Sequence, residues 1–231
     1  MIPFKDDNPS TITPYVTFVL IGCCALVFIG QLLLGGRGNQ AAIIAFGLVP
    51  VELLSDALPY PGIPAVPDVL TVFTSMFMHG GIMHFAGNML YLWIFSDNIE
   101  DSMGHGRFIL FYFLCGVGAA LAQAIPEPGS AIPMIGASGA ISGVLGAYLL
   151  LFPHARVHVG IPFGFYLHVT RFPAGVVLGV WFALQLFSEL TTAPGSAGVA
   201  FRAHIGGFVV GAALIPFFRK PQFPLLGRRG R

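Results

Sequence analysis

Three groups of polar residues interrupt an otherwise apolar chain, and their side chains are those used in acyl transfer. Ser138 sits in MIGASGAISGVLGAY, residues 134–148, where small residues replace the Leu, Ile and Phe that fill lipid-facing helices. A serine hydroxyl is a weak nucleophile until a neighbouring imidazole accepts its proton. His204, in AHIGGFVVG at residues 203–211, offers such an imidazole. In HGGIMHFAGN, residues 79–88, His84 and Asn88 are four apart and share one helix face. Both can donate hydrogen bonds, and donors converging on one point stabilise a developing oxyanion.

Spacing supplies a way to bring the first two groups together. Gly139, Gly143 and Ala147 recur at every fourth residue, as do Ala203, Gly207 and Gly211. Small residues at that interval let two membrane helices approach closely. Ser138 adjoins one stripe and His204 the other, so facing stripes put hydroxyl and imidazole within hydrogen-bonding reach.

Each of these residues also has a bland role. Ser138 alone reads as packing in a glycine stripe, His204 as an interhelical histidine with its bonds satisfied, and His84 with Asn88 as a tie between helices. Their joint placement at one depth of the membrane weighs for function, because ionisable groups inside a bilayer are costly unless used. His79, at a loop–helix junction, is assigned a loop-anchoring hydrogen bond. Glu100 and Asp101 are expected to cap or brace the far end of their helix. His154, His158 and His168 are placed in a solvated loop, since no carboxylate or cysteine completes a metal site there. Trp181, Phe182 and Phe187 read as lipid or packing surface. Cys23, Cys24 and Cys115 are odd in number and lie in apolar runs, which argues against a disulfide framework and for packing. No cofactor and no metal is called for.

The elements that must position these groups are set by the composition. Of 231 residues, 55% are hydrophobic and 9% charged, against about 25% charged in soluble domains. Residues 15–34 run without a charge for the length of a bilayer crossing. A net charge of +1 gives no reason to expect a nucleic-acid partner. Gly, Pro and charge punctuate six helices, at about 14–34, 82–102, 107–125, 138–152, 173–190 and 201–218. The expected organisation is an all-α polytopic membrane protein. Residues 1–13 form a cytoplasmic segment, 14–218 a six-helix membrane domain with an outer loop at 35–81, and 219–231 a basic cytoplasmic tail. The outer loop, broken by PYPGIPAVP, is expected to lie on the membrane or dip into it.

Basic residues accumulate on the cytoplasmic side of membrane proteins. With both termini inside, Lys5, Arg107, Arg156, Arg171, Arg219, Lys220, Arg228, Arg229 and Arg231 are cytoplasmic, and Arg37 and Arg202 are outside. The short span count and the lack of an Arg-rich, acid-poor leader favour a bacterial plasma membrane over an organelle.

The fourth helix is too short for the hydrocarbon layer. From Ser138 to Phe152 it would cover ~22 Å of about 30 Å. The chain before it, PEPGSAIPMIG, is not helical, so irregular backbone must reach membrane depth, which is tolerated only where protein buries it or water fills a cavity. Ser138 is therefore expected at the first turn of a helix whose positive N-terminal end faces a wet pocket. By the same topology His84, Asn88 and His204 lie toward the outer ends of their helices.

GASG at 136–139, HFAGN at 84–88 with the preceding His79, AHIGGFVVG at 203–211 and NIEDSMG at 98–104 together resemble the rhomboid family of intramembrane serine proteases. The likeness covers roughly residues 70–218. It implies a dyad with Ser138 as nucleophile and His204 as general base, and an oxyanion hole of the Ser138 backbone N–H, His84 and Asn88. Gly136, Gly139 and His79 would support them. Single-pass transmembrane proteins would be the substrates. The residues themselves offer no acidic third member, Glu189 being at the end of the fifth helix. Many relatives carry an aromatic residue four positions after the serine, stacked on the histidine. Here that position is Ser142, so another apolar side chain is expected against His204. Two other classes share some of these features: a transporter or channel with a broken helix facing a cavity, and a non-catalytic relative that binds membrane proteins.

Overall fold

The computed structural model describes residues 2–55, 57–63, 66–164, 166–193 and 198–227. Arg228, Arg229 and Arg231 of the basic tail lie outside them. Helix α7 (Ser138–Leu151) is the centre of the molecule, and its composition explains why. Every residue from Gly139 to Tyr148 is buried, so the helix needs close-packing surfaces rather than lipid-facing ones. Around it stand α5 (Ile82–Met103), α6 (His105–Ala124), α8 (Ala174–Thr191) and α9 (Phe201–Phe218), with α1 (Tyr15–Leu33) against α5. These six helices begin and end within two residues of the limits expected from sequence punctuation.

Glycine lets α7 touch its neighbours backbone to backbone. A Cβ on Gly207 would lie 2.0 Å from the Gly139 carbonyl oxygen, and one on Gly211 2.0 Å from that of Gly143. The stripe on α9 thus faces α7, as expected. The α7 stripe is shared: Cβ atoms on Gly139 and Gly143 would collide with Ala119 and Cys115 of α6, at 2.6 and 2.4 Å.

Four helices, α1, α6, α8 and α9, are each long and apolar enough to cross a bilayer. Leu26, Leu33, Leu184, Leu190 and Phe217 are exposed on them, which suits hydrocarbon surroundings. The protein is a multi-pass integral membrane protein. Its segment 35–81 carries more structure than a loop: α2 (Gly35–Phe46), α3 (Pro50–Leu54), and α4 (Asp68–Thr74) with a 3-10 turn to Phe77. The α4 unit meets α5 at 83°.

At the end opposite Ser138 the chain adds a small sheet that the all-α reading did not contain. β1 (Ile2–Asp6), β2 (Arg156–Phe163) and β3 (Tyr166–Pro173) pair antiparallel in that order. Val157 and Val159 alternate into the core, but Gly160 and Pro162 shorten this period-two signal, which is why it reads as loop. His158 is accordingly not in a solvated loop. It lies on β2 with Nε2 2.7 Å from Asp7 Oδ1, and that contact holds the Asp7 carboxyl below its ordinary range. His154 and His168 are exposed.

The same end is braced by buried carboxylates. Helix α1 begins after Pro14 with no side-chain cap of its own, leaving first-turn N–H groups without partners. Glu100 of α5, fully buried, accepts from the backbone N–H of Val16 and Thr17, both at 2.9 Å, and from Thr17 Oγ1 at 2.7 Å. Asp101 accepts from Thr11 N at 2.8 Å and from Thr11 Oγ1 at 2.9 Å. Both acids therefore bracket the N-terminal segment. Nearby, the Tyr148 hydroxyl of α7 donates to Asp6 Oδ2 at 2.5 Å.

Burial pushes the Asp6 carboxyl up from 3.8 to about 7. The folded protein therefore keeps a proton that the unfolded chain has released, so stability falls as pH rises from about 4 to about 7 and levels off above. Asp6→Asn is expected to flatten thermal melting temperature across that window, and a slope identical to the native one would assign the dependence to another group.

Candidate active site

The backbone leading to α7 is irregular, and its polar groups find protein partners. Leu48 and Met134 exchange backbone hydrogen bonds at 3.0 and 2.7 Å, and Gly136 N donates to Ser75 O at 2.9 Å. Gly136 holds φ +126°, a region closed to most side chains. A Cβ there would lie 2.8 Å from His84 Nε2 and 3.6 Å from Ser138 Oγ. The missing side chain of Gly136 is thus the space between those two groups.

Ser138 opens α7, preceded by Ala137, which provides no side-chain cap. Its Oγ lies 2.7 Å from His204 Nε2 on α9. On the other side of the ring, His204 Nδ1 lies 2.8 Å from Gln185 Oε1 on α8. Trp181, one turn earlier on α8, packs on the His204 ring at a centroid separation of 5.9 Å and an interplanar angle of 34°. Trp181 is therefore the side chain against His204, and lipid or general packing surface was too bland a reading for it. Ser142 turns away from the ring and donates to the Ser138 carbonyl at 2.6 Å.

Four of the remaining expected residues, all but His79, line the same space. A cavity of about 1080 Å³ is bounded by Ser138, His204, His84, Asn88, Gly136 and Gly139, among others. Gly80 N donates to His84 Nδ1 at 3.2 Å, so a neutral His84 carries its proton on Nε2, the nitrogen beside Gly136. Asn88 Nδ2 is buried without a protein partner, a second donor with nothing yet to bind. Gly139 packs closely against Ala119, as described above.

His79 is fully buried and anchored through its backbone: its N–H donates to Gln31 Oε1 at 2.9 Å, and its carbonyl accepts from Gln31 Nε2 at 3.0 Å. Its ring packs 5.3 Å from His84 and 5.3 Å from Phe85. At the rim, Arg202 bonds Glu127 at 2.9 Å and Glu189 at 2.5 Å.

Residues 67–221 match the model of the family described as Rhomboid domain. The chain belongs to the rhomboid family. Among curated relatives it is 32% identical over 136 residues to Rhomboid protease GluP of Bacillus subtilis (strain 168), covering 59% of this chain and 24% of that protein. It is 30% identical over 154 residues to Rhomboid protein 1, mitochondrial, of Saccharomyces cerevisiae, covering 63% of this chain and 41% of that one. To the mitochondrial Presenilin-associated rhomboid-like protein of Mus musculus it is 32% identical over 148 residues, 62% of this chain and 36% of that one. This rhomboid thus spans less than half the length of each of these relatives.

Gln185 is the residue of this rhomboid's site that sequence reasoning passed over. Its signal was present as WFALQ, residues 181–185: an amide one turn after a tryptophan, in the middle of an apolar helix. Polar groups in that setting seek a partner on another helix.

Gly136→Ala forces a side chain into both the left-handed backbone region and the His84 contact. It is expected to cost on the order of 1–3 kcal/mol and to lower the melting temperature in detergent micelles. A native melting temperature would mean that residue 136 is free to relax its backbone.

Proposed function

We propose that this rhomboid is an intramembrane serine endopeptidase acting through Ser138 and His204. The observation that carries this reading is the 2.7 Å contact between Ser138 Oγ and His204 Nε2 at the N-terminus of α7. His204 Nε2 takes the hydroxyl proton as Oγ attacks the scissile carbonyl. The resulting oxyanion meets the Ser138 backbone N–H, His84 Nε2–H and Asn88 Nδ2, with the positive end of the α7 dipole behind them. His204 then passes its proton to the leaving amine, and a water admitted through the cavity repeats the cycle on the acyl ester. The likeness to the Bacillus subtilis rhomboid protease supports the same reading.

Single-pass transmembrane proteins are the proposed substrates, unwound locally to present an extended segment. Small residues are expected around the cleaved bond, because a site lined by Gly136 and Gly139 leaves little room. The proposed path of substrate access is past α8, whose buried residues are confined to Ala174, Val177 and Leu178 near its start. For orientation we propose that the sheet end is cytoplasmic. Lys5, Arg156 and Arg171 lie on its strands, Arg107 opens α6, and Arg219 and Lys220 follow α9, while Arg37 and Arg202 belong to the Ser138 end.

The test is purified protein with a model transmembrane substrate and a fluorophosphonate probe. Native protein should cleave the substrate and label at Ser138, and Ser138→Ala should do neither. Equal cleavage by native protein and Ser138→Ala removes the assignment, and label-free native protein favours a transporter or a binding role. Asn88→Ala, which deletes one oxyanion donor, is expected to slow turnover by about a hundredfold or more. Undiminished turnover in that variant would take Asn88 out of the oxyanion hole.

A further inference from the structure

Resting on the peptidase reading above, we propose that Gln185 is a positioning residue that selects the tautomer of His204 able to act as a base. The direction of the Gln185 amide is set on its own helix. Its Nε2 donates to the Trp181 carbonyl at 3.5 Å, which leaves Oε1 as the end facing the imidazole. An amide oxygen carries no proton, so the 2.8 Å contact with His204 Nδ1 is a hydrogen bond only if Nδ1 carries one. A neutral imidazole protonated at Nδ1 has its lone pair on Nε2, the nitrogen 2.7 Å from Ser138 Oγ.

The other tautomer is disfavoured at Gln185 and unproductive at Ser138. It would set two lone pairs against each other at the Gln185 contact, and it would turn an N–H toward the hydroxyl that must give up its proton. Trp181 completes the hold by covering a face of the ring. Both groups come from α8, so one helix fixes the plane and the protonation pattern of an imidazole borne by another.

An amide suits this position better than a carboxylate. Trp181 packs on Phe208, and so does Phe182, at a centroid distance of 4.4 Å. A carboxylate there would be a charge held on a membrane helix throughout the resting state, which is costly. The nearby acids Glu127 and Glu189 already bond Arg202 at the rim. An amide oxygen gives the acceptor without that cost.

The experiment is nitrogen-15 NMR of histidine-labelled native protein in micelles, with His204→Ala assigning the signal, alongside Gln185→Met and Gln185→Glu. Native His204 is expected in the Nδ1–H form. Gln185→Met keeps side-chain volume but lacks the acceptor, so a population of the Nε2–H form should appear. In the same variant kcat and the rate of Ser138 labelling should fall about tenfold or more, with KM unchanged. Gln185→Glu retains an acceptor oxygen but adds a charge, so it should keep Nδ1 protonated while shifting His204 toward the imidazolium. A native His204 in the Nε2–H form overturns the proposal without any variant, as does a Gln185→Met protein with native tautomer and native labelling rate. Native protein in the Nδ1–H form that neither labels nor cleaves would remove the peptidase reading while leaving the hold of Gln185 on the ring in place.

Discussion

The carbonyl oxygens of Gly139 and Gly143 lie where a Cβ on Gly207 or Gly211 would have to go, 2.0 Å from it in each case. No pair of helices with side chains at those positions could stand so close. Ser138 is one residue before Gly139, and His204 is three before Gly207, less than one helical turn. The separation of the two backbones therefore fixes the separation of the two side chains. Glycine also answers why the central helix is so poor in large residues: surrounded on its sides by α5, α6, α8 and α9, α7 is positioned by contact of main chains, which leaves less room for rotamer changes to displace the hydroxyl.

Such a helix is short, and its two ends meet different demands. At the Ser138 end the preceding chain is not helical, and it is held by Leu48 and Ser75 backbone groups rather than by its own turns. At the other end Tyr148 reaches Asp6, and the N-terminal segment is tied down by Glu100 and Asp101 of α5. An uncapped α1 would leave donors unsatisfied where water is scarce. Glu100 supplies the oxygens for it, so a carboxylate on one helix completes the start of another. Losing one member of such a buried set leaves the rest without partners, at a cost of about 3–5 kcal/mol.

The helices and the approach of Ser138 to His204 were legible in the sequence because both rest on repeating patterns. Apolar runs of bilayer length have few alternatives, and four-residue spacing of small residues has one geometric use in a membrane. The parts that were not legible depend on single contacts. Gln185 looks like any amide in WFALQ until α8 and α9 are docked. His79 anchors its loop as expected, but its backbone bonds to Gln31 and the packing of its ring beside His84 depend on how α1 and α5 dock. The sheet was hidden because its inward pattern is only Val157 and Val159, flanked by glycine and proline. Residues 35–54 carry enough apolar spacing for α2 and α3, yet glycine at their start and proline in their middle make the same stretch read as loop.

Placement of charge ties these contacts together. Around the Ser138 hydroxyl stand the imidazoles of His204 and His84 and the amide of Asn88, with the amide of Gln185 behind His204, and none of these carries a permanent charge. At the rim of this end Arg202 bonds both Glu127 and Glu189. In the proposed reaction charge arises only as the oxyanion and the imidazolium form together, and donors already in place face the first of these. Donors that need no reorganisation lower the barrier most where solvent is excluded. A carboxylate beside His204 would stabilise the imidazolium as well, but it would have to be kept ionised at membrane depth throughout the resting state. The amide of Gln185 avoids that standing cost and still leaves the imidazole lone pair directed at the serine.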